Sequence, residues 1–117
     1  MNNKELGKYG EELACKYLER KGYVVLERNF YCKQGEIDII AKDENTIVFL
    51  EVKTRRNLKY GIPAEAVDKL KQSHIFSAAK YYLYKNRMQK ALIRFDVIEV
   101  YLRSEKVFIN QIKNIIA

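Results

Sequence analysis

The sequence predicts an α/β fold in which a mixed five-stranded sheet is flanked by helices, in the order α-β-β-β-α-β-β. Three observations carry that expectation. Two long segments repeat apolar residues at helical spacing, and five short runs rich in Val, Ile, Phe and Tyr are separated by polar turns. Within one of those runs Ile47, Val48, Phe49 and Leu50 are all apolar, as expected of a central strand covered on both faces. A chain of 117 residues suits a single domain, 1–117, large enough to bury a real core.

Residues 4–21 read as the first helix. Leu6, Tyr9, Gly10, Leu13, Ala14 and Tyr17 fall on one face, and Gly22 ends it. Residues 23–30 form a strand centred on Val24, Val25 and Leu26, followed by a loop closing at Gly35. Two strands, 36–42 and 47–54, flank the polar turn Asp43-Glu44-Asn45-Thr46. After the loop 55–63, Pro63 can open a helix over 64–85, because its missing N–H would be unpaired at that position. Its expected inner face carries Val67, Leu70, Ala78 and Tyr81, with Lys71 and His74 among them. Strands at 92–102 and 106–109 follow, turning at Arg103-Ser104, and the tail from Asn110 is either a short helix or a segment along the core.

Composition narrows the partners. Lys plus Arg exceeds Asp plus Glu by 22 to 15, a formal net charge of +7, which favours a polyanion such as nucleic acid. No apolar run approaches the ~18 residues needed to span a bilayer, and MNNKELGKYGEEL lacks an apolar signal region, so no membrane partner and a cytoplasmic protein are expected. Cys15 and Cys32 have no CxxC spacing and His74 is the lone histidine, which argues against a zinc site of Cys and His ligands.

Chemistry concentrates in GEIDIIAKDENTIVFLEVKTRR, residues 35–56. Charged side chains inside apolar strands are costly unless satisfied. Because i and i+2 share a strand face, Glu51 and Lys53 point the same way as Ile47 and Phe49. Folding the hairpin about Glu44-Asn45 places residue 42 opposite 47, 40 opposite 49 and Asp38 opposite Glu51, with Cβ atoms about 4.5–5.5 Å apart. The same register sets Glu36 opposite Lys53. Two facing carboxylates repel unless a cation lies between them, and oxygen-only ligands suit Mg²⁺ or Mn²⁺. With Lys53 one pleat away, the set fits metal-assisted phosphodiester hydrolysis.

Asp38 followed by Glu51-Val52-Lys53 resembles the bipartite PD-(D/E)XK signature of the restriction-endonuclease-like superfamily, with Ile37 where that signature has proline. More closely, the chain resembles the YraN-like family of bacterial proteins over nearly its whole length. The likeness rests on Gly10-Glu11, Ala14, Tyr17-Leu18, Gly22, Arg28-Asn29, GEIDII (35–40), FLEVKTRR (49–56), Gly61, Val67, Lys71-Gln72 and RFDVI (94–98). The resemblance implies a restriction-endonuclease-like core with Asp38, Glu51 and Lys53 as a metal-dependent site. The first helix is also similar to that of archaeal Holliday-junction resolvases, whose Gly-x-x-small-Glu pattern matches Gly7 to Glu11. Periodicity alone does not separate Glu11 from Glu12; the resemblance selects Glu11 as a further acidic residue of the site and a third metal ligand.

Around these residues Arg55, Arg56 and Lys59 form a basic segment after the catalytic strand, suited to phosphate contacts, and Lys71 and Gln72 are candidates to reach the same phosphates. Tyr31, beside Lys33, is a candidate to stack on an unpaired base. Arg94 and Asp96 share a strand face and either pair with each other or brace the site. The leading expectation is therefore a Mg²⁺- or Mn²⁺-dependent deoxyribonuclease acting on structured or branched DNA, for which cutting both strands requires a homodimer. The alternatives are a nucleic-acid-binding module of nuclease fold without turnover, and an interaction protein whose buried charges are salt bridges.

Overall fold

The computed structural model describes residues 1–56 and 69–115, and the backbone alone for 69–71. Its elements are α1 (Asn3–Arg20), β1 (Val24–Cys32), β2 (Gly35–Asp43), β3 (Thr46–Arg55), α2 (Lys69–Lys85), β4 (Leu92–Arg103) and β5 (Lys106–Ile112). The strands form one sheet in the order β1-β2-β3-β4-β5. Neighbours are antiparallel except β3 and β4, which run parallel and are joined by the crossover that contains α2. This is the expected mixed sheet with β3 at its centre. Pro63 and Val67 lie outside the described residues.

Local chemistry sets the ends of α1. Asn2 caps it by accepting from the Glu5 N–H at 2.8 Å, and the Glu5 carboxylate accepts from the Asn2 N–H at 3.3 Å, a capping box. Gly22, with φ of 92°, terminates it in the left-handed region.

One helix covers each face of the sheet. On the α1 side lie Ala14, Leu18, Tyr23, Ile39, Ala41, Val48, Leu50, Ile98 and Val100. On the α2 side lie Phe30, Ile37, Ile40, Phe49, Ile75, Ala78, Tyr82, Phe95 and Val97. Aromatic rings tie the second cluster together: Tyr82 packs edge-on against Phe30 and Phe49 at 5.3 and 6.0 Å, and Phe49 stacks on Phe95 at 5.4 Å.

Several expectations shift by a residue or a face. β1 is an edge strand, so Val24 and Leu26 are exposed and Phe30 is its buried anchor. The inner face of α2 runs through Ile75, Ala78, Ala79, Tyr82 and Leu83, which leaves Tyr81 and His74 exposed. β5 continues to Ile112, and the segment after it lies along β4, with the Ile115 N–H bonded to the Phe95 carbonyl at 2.9 Å.

The close approach of α1 to β3 depends on Gly10. A Cβ there would lie 1.8 Å from Thr54 Oγ1 and 2.8 Å from Thr54 Cβ. Gly7, one helical turn earlier, has nothing within 4 Å of its would-be Cβ. Gly7→Ala should therefore stabilise the fold by about 0.5–1 kcal/mol through helix propensity. Gly10→Ala should destabilise it by about 1–3 kcal/mol through overpacking. Urea denaturation of both variants checks the opposite signs.

Candidate functional site

A fork in the sheet builds the site. β2 and β3 pair in the expected register from Asp43↔Thr46 to Ile39↔Leu50, and there the ladder ends. Beyond it, β2 continues beside β1 as far as Cys32↔Gly35, whereas β3 continues beside β4 from Glu51↔Val97 to Arg55↔Tyr101. Asp38 stands at the point of divergence. Its Oδ2 accepts the Val52 N–H at 2.8 Å, so a side chain takes up a backbone donor that the departing strand no longer pairs.

The fork has a local cause. The β1–β2 ladder passes from Arg28↔Ile39 to Phe30↔Ile37 and skips Asn29 and Asp38. Asn29 has φ of 52°, a left-handed value that asparagine tolerates. Strand alternation breaks at this step: Ile39 and Ala41 pack on the α1 side, but Ile37 packs with Ile40 on the α2 side. The break overturns the expectation that Glu36 faces Lys53. Alternation from Ile37 turns Glu36 toward the α1 side, where its charge acts on Glu11.

Glu51 is 6% exposed, and its Oε1 lies 3.5 Å from Lys53 Nζ. Glu11 arrives from α1, half-buried where Glu12 is exposed, which separates two acids that periodicity leaves equivalent. Burial raises the Glu11 pKa above its ordinary 4.5; a side-chain hydrogen bond from Asn29 and the charge of Arg28 pull it down, and the charges of Glu36 and Glu51 push it up. Asn29 thus acts on Glu11 from the same kink at which Asp38 leaves the β1–β2 ladder.

The donor chemistry suits a hard cation. Asp38 and Glu51 offer carboxylate oxygens from adjacent strands, and Mg²⁺ is commonly held by one or two carboxylates with water completing its shell. Among the described residues no three His, Cys, Asp or Glu side chains converge at ligating distance, so Glu11, on which the Glu51 charge acts, does not close a three-acid cage with Asp38 and Glu51.

The remaining expected residues that the structure describes are dispersed. Arg55 is on β3 in the same alternation as Glu51 and Lys53, and Arg56 hydrogen-bonds the Met1 carbonyl at the start of α1. Gln72 is half-buried on α2. Lys59 lies outside the described residues, as does the side chain of Lys71. Tyr31 is exposed, and alternation from Phe30 and Cys32 turns it away from the α2 side.

Arg94 and Asp96 pair with each other, on the α1 face. Buried Asp96 accepts from Arg94 Nε at 3.0 Å, Arg94 Nη2 at 3.0 Å, Gln111 Nε2 at 2.9 Å and the Asn114 N–H at 2.9 Å. Arg94 also donates to the Tyr23 hydroxyl at 2.7 Å. The network pins the segment after β5 to β4, a structural task.

One acidic residue escaped the sequence reading. Glu99 is 0% exposed and sits beside Lys53 in the parallel register. Its oxygens accept from the Tyr101 hydroxyl at 2.7 Å and Asn110 Nδ2 at 3.0 Å. Hairpin register about Ser104-Glu105 was the available signal, since it places residue 110 opposite 99 once β5 is extended past 109.

Comparisons with known proteins agree on a family. Residues 10–100 match the model of the Uncharacterised protein family UPF0102. A UPF0102 protein of Caldicellulosiruptor saccharolyticus is 52% identical over 116 residues, covering 97% of this chain and 98% of the relative. One from Clostridioides difficile is 52% identical over 114 residues, with 97% and 98% covered. One from Caldanaerobacter subterraneus is 47% identical over 116 residues, with 99% and 95% covered.

Two stability measurements separate structural from strained acids. Asp96→Ala leaves Arg94 and its neighbours without their acceptor and should cost about 3–5 kcal/mol by chemical denaturation. For Glu11 the folded pKa exceeds the unfolded value, so the stability it contributes is present below pH 4.5 and is lost as pH rises through the folded pKa. Glu11→Gln should accordingly raise the denaturation midpoint at pH 7 relative to the parent, and this advantage should shrink toward pH 4.

Proposed function

Because the chain belongs to the uncharacterised protein family UPF0102, we propose its function from the site itself: a divalent-metal-dependent endonuclease that hydrolyses phosphodiester bonds, with structured or branched DNA as substrate. The observation that carries this reading is the fork, where Asp38 leaves the ladder beside Glu51 and Lys53. The resemblance to the PD-(D/E)XK superfamily supports it, since acid, acid and lysine are all intact. The likeness of Gly7–Glu11 to the first helix of Holliday-junction resolvases supports the preference for branched DNA. The net charge of +7 suits a polyanionic substrate.

In this reading Asp38 and Glu51 would hold a Mg²⁺ or Mn²⁺ ion, which would supply Lewis-acid stabilisation of the charge that builds up on the phosphodiester. The protein does the rest by position. The Asp38–Val52 hydrogen bond fixes one carboxylate at the strand divergence. Glu51 keeps the Lys53 ammonium at 3.5 Å, on the face where negative charge accumulates as the phosphorus is attacked, and a fixed cation there lowers the barrier. Glu11, half-buried and with a raised pKa, is suited to orient a water or take a proton. Arg55, Arg56, Lys59, Lys71 and Gln72 are assigned to phosphate contacts by their charge or donor groups and by the family resemblance.

A second reading is a nucleic-acid-binding module of the same fold without turnover. It is favoured by the lack, among the described residues, of three acids at metal-ligating distance.

Incubation of the purified protein with four-way junction, flap, single-stranded and duplex DNA in Mn²⁺ or Mg²⁺ distinguishes them. The expected result is metal-dependent cleavage of the branched substrates, at least about 100-fold weaker in Asp38→Asn and Lys53→Ala, and abolished by EDTA. Binding to all four without cleavage in either metal would establish the second reading instead.

A further inference from the structure

Resting on the nucleic-acid reading above, we propose that Arg55 is a second phosphate subsite, one nucleotide step from the phosphate met by Lys53, and that Tyr101, Glu99 and Asn110 are positioning residues that hold its guanidinium in place. The substrate class is a nucleic-acid strand gripped at two successive backbone phosphates.

Strand geometry supplies the spacing. Glu51, Lys53 and Arg55 alternate onto one side of β3, and two residues of strand advance about 6.7 Å, comparable to the separation of neighbouring phosphates along a nucleic-acid strand. Arg55 belongs to the part of β3 beyond the end of the β2 ladder, so it extends the site in line with Lys53.

The neighbouring strands supply the support. Parallel register sets Arg55 beside Tyr101 and Lys53 beside Glu99. The Tyr101 hydroxyl has one proton, and it is given to Glu99 Oε2 at 2.7 Å. Toward Arg55 the hydroxyl can therefore only accept. Burial and Glu99 raise the Tyr101 pKa, and Arg55 opposes that through its charge and a hydrogen bond to the same hydroxyl. Asn110 Nδ2 on β5 holds the other Glu99 oxygen at 3.0 Å, which leaves the carboxylate little freedom to turn. The hydrogen bonds Asn110–Glu99–Tyr101 tie β5 to β4, and the parallel register sets Arg55 of β3 beside their end.

That cation has donors to spare. A guanidinium carries five N–H groups, and Arg55 Nε has no hydrogen-bond partner among the described residues; because that atom is itself buried, the terminal nitrogens of the half-buried side chain are the ones that would meet the phosphate. Donor capacity in excess of the local acceptors is the condition in which an anionic oxygen is taken up, and the planar fork of arginine matches phosphate. The Arg94–Asp96 pair shows the contrary case, a guanidinium held directly against a carboxylate.

The test uses binding alone, in Ca²⁺ or EDTA, by fluorescence anisotropy. Single-stranded and junction oligonucleotides carry one neutral methylphosphonate, moved stepwise along a strand. The full-length parent should lose affinity when either of two adjacent phosphates is neutralised. Lys53→Ala should become insensitive at one of them and Arg55→Ala at the other, with the salt dependence of Arg55→Ala reduced by about one phosphate contact. Tyr101→Phe keeps the buried ring and should weaken binding about fivefold. That loss should vanish at the Arg55 position when the phosphate is neutral and should not add to Arg55→Ala. An Arg55→Ala scan indistinguishable from the parent, or a Tyr101→Phe loss uniform along the strand, overturns the proposal. Cleavage of branched DNA with an unaltered scan would leave the nuclease standing and remove the subsite; the expected scan without cleavage would do the reverse.

Discussion

The structure turns on one hydrogen bond, from the Val52 N–H to the Asp38 carboxylate at 2.8 Å. A continuous β2–β3 ladder would satisfy Val52 with backbone and leave no opening between the strands. A fork with no acceptor at its crotch would leave a partly buried N–H without a partner, at a cost of about 1–3 kcal/mol. Asp38 allows the strands to separate without that penalty, because a carboxylate stands in for the missing carbonyl. The side chain that makes the cleft tolerable is thus also the acid at its mouth. Stability and the proposed chemistry share an atom group, so neither can be altered alone.

The kink at Asn29 extends that constraint to the rest of the site. Its left-handed backbone lets β1 and β2 skip a pair together, and its side chain stabilises the charged form of Glu11 on α1. Gly10, next to Glu11, lets the helix come down on Thr54 of β3. Two neighbouring residues of one helix therefore have complementary tasks, the first removing bulk so that the second can reach the fork. Placing Glu11 there means burying it among other acids, which is why its proton is held more tightly than usual.

How much of this was legible in the sequence follows from what period-two and period-3.6 patterns can carry. The hairpin register was legible because Glu44-Asn45 is a two-residue turn and the apolar alternation on either side admits one solution, which holds from Asp43↔Thr46 to Ile39↔Leu50; the next expected pair, Asp38 with Glu51, is not part of the ladder, and Asp38 accepts the Val52 N–H instead. Where alternation breaks, the pattern misleads. Glu36 was set opposite Lys53 because nothing in Arg28-Asn29-Phe30 announces a left-handed residue, and a single skipped pair reverses every face beyond it. In α2 the clue was ambiguous for a different reason. Tyr81, Tyr82 and Tyr84 are equally apolar in composition, and only packing against Phe30 and Phe49 selects Tyr82 for the core. Glu99 escapes notice because, of the two acids in FDVIEVYL, only Asp96 has a same-face partner within the strand, Arg94, whereas the Glu99 partner Asn110 lies past the expected end of β5.

Two arginine clusters on opposite faces of β4 show how structural and functional charge can be told apart in this fold. Asp96 on the α1 side is buried and receives hydrogen bonds from two groups of Arg94, from Gln111 and from the Asn114 backbone. Its acceptor capacity is close to filled, and the arginine that compensates it is spent on the same carboxylate and on Tyr23. Glu99 on the α2 side is equally buried, but its acceptors are filled by a tyrosine and an asparagine, both neutral. The cation of that cluster stands beside Tyr101 in the next strand, and its Nε has no hydrogen-bond partner among the described residues. A fold concerned only with its own stability gains more from closing such a pair directly, because each buried charge without an opposite partner retains its desolvation cost. Interposing Tyr101 gives up part of that compensation and leaves Arg55 oriented with donor capacity to spare, on the part of β3 beyond the end of its ladder with β2. Residue type does not distinguish the two clusters. What distinguishes them is whether hydrogen-bonding capacity is exhausted inside the protein or carried to the edge of a cleft, and by that measure the polar end of β3 and β4 is built to receive an anion.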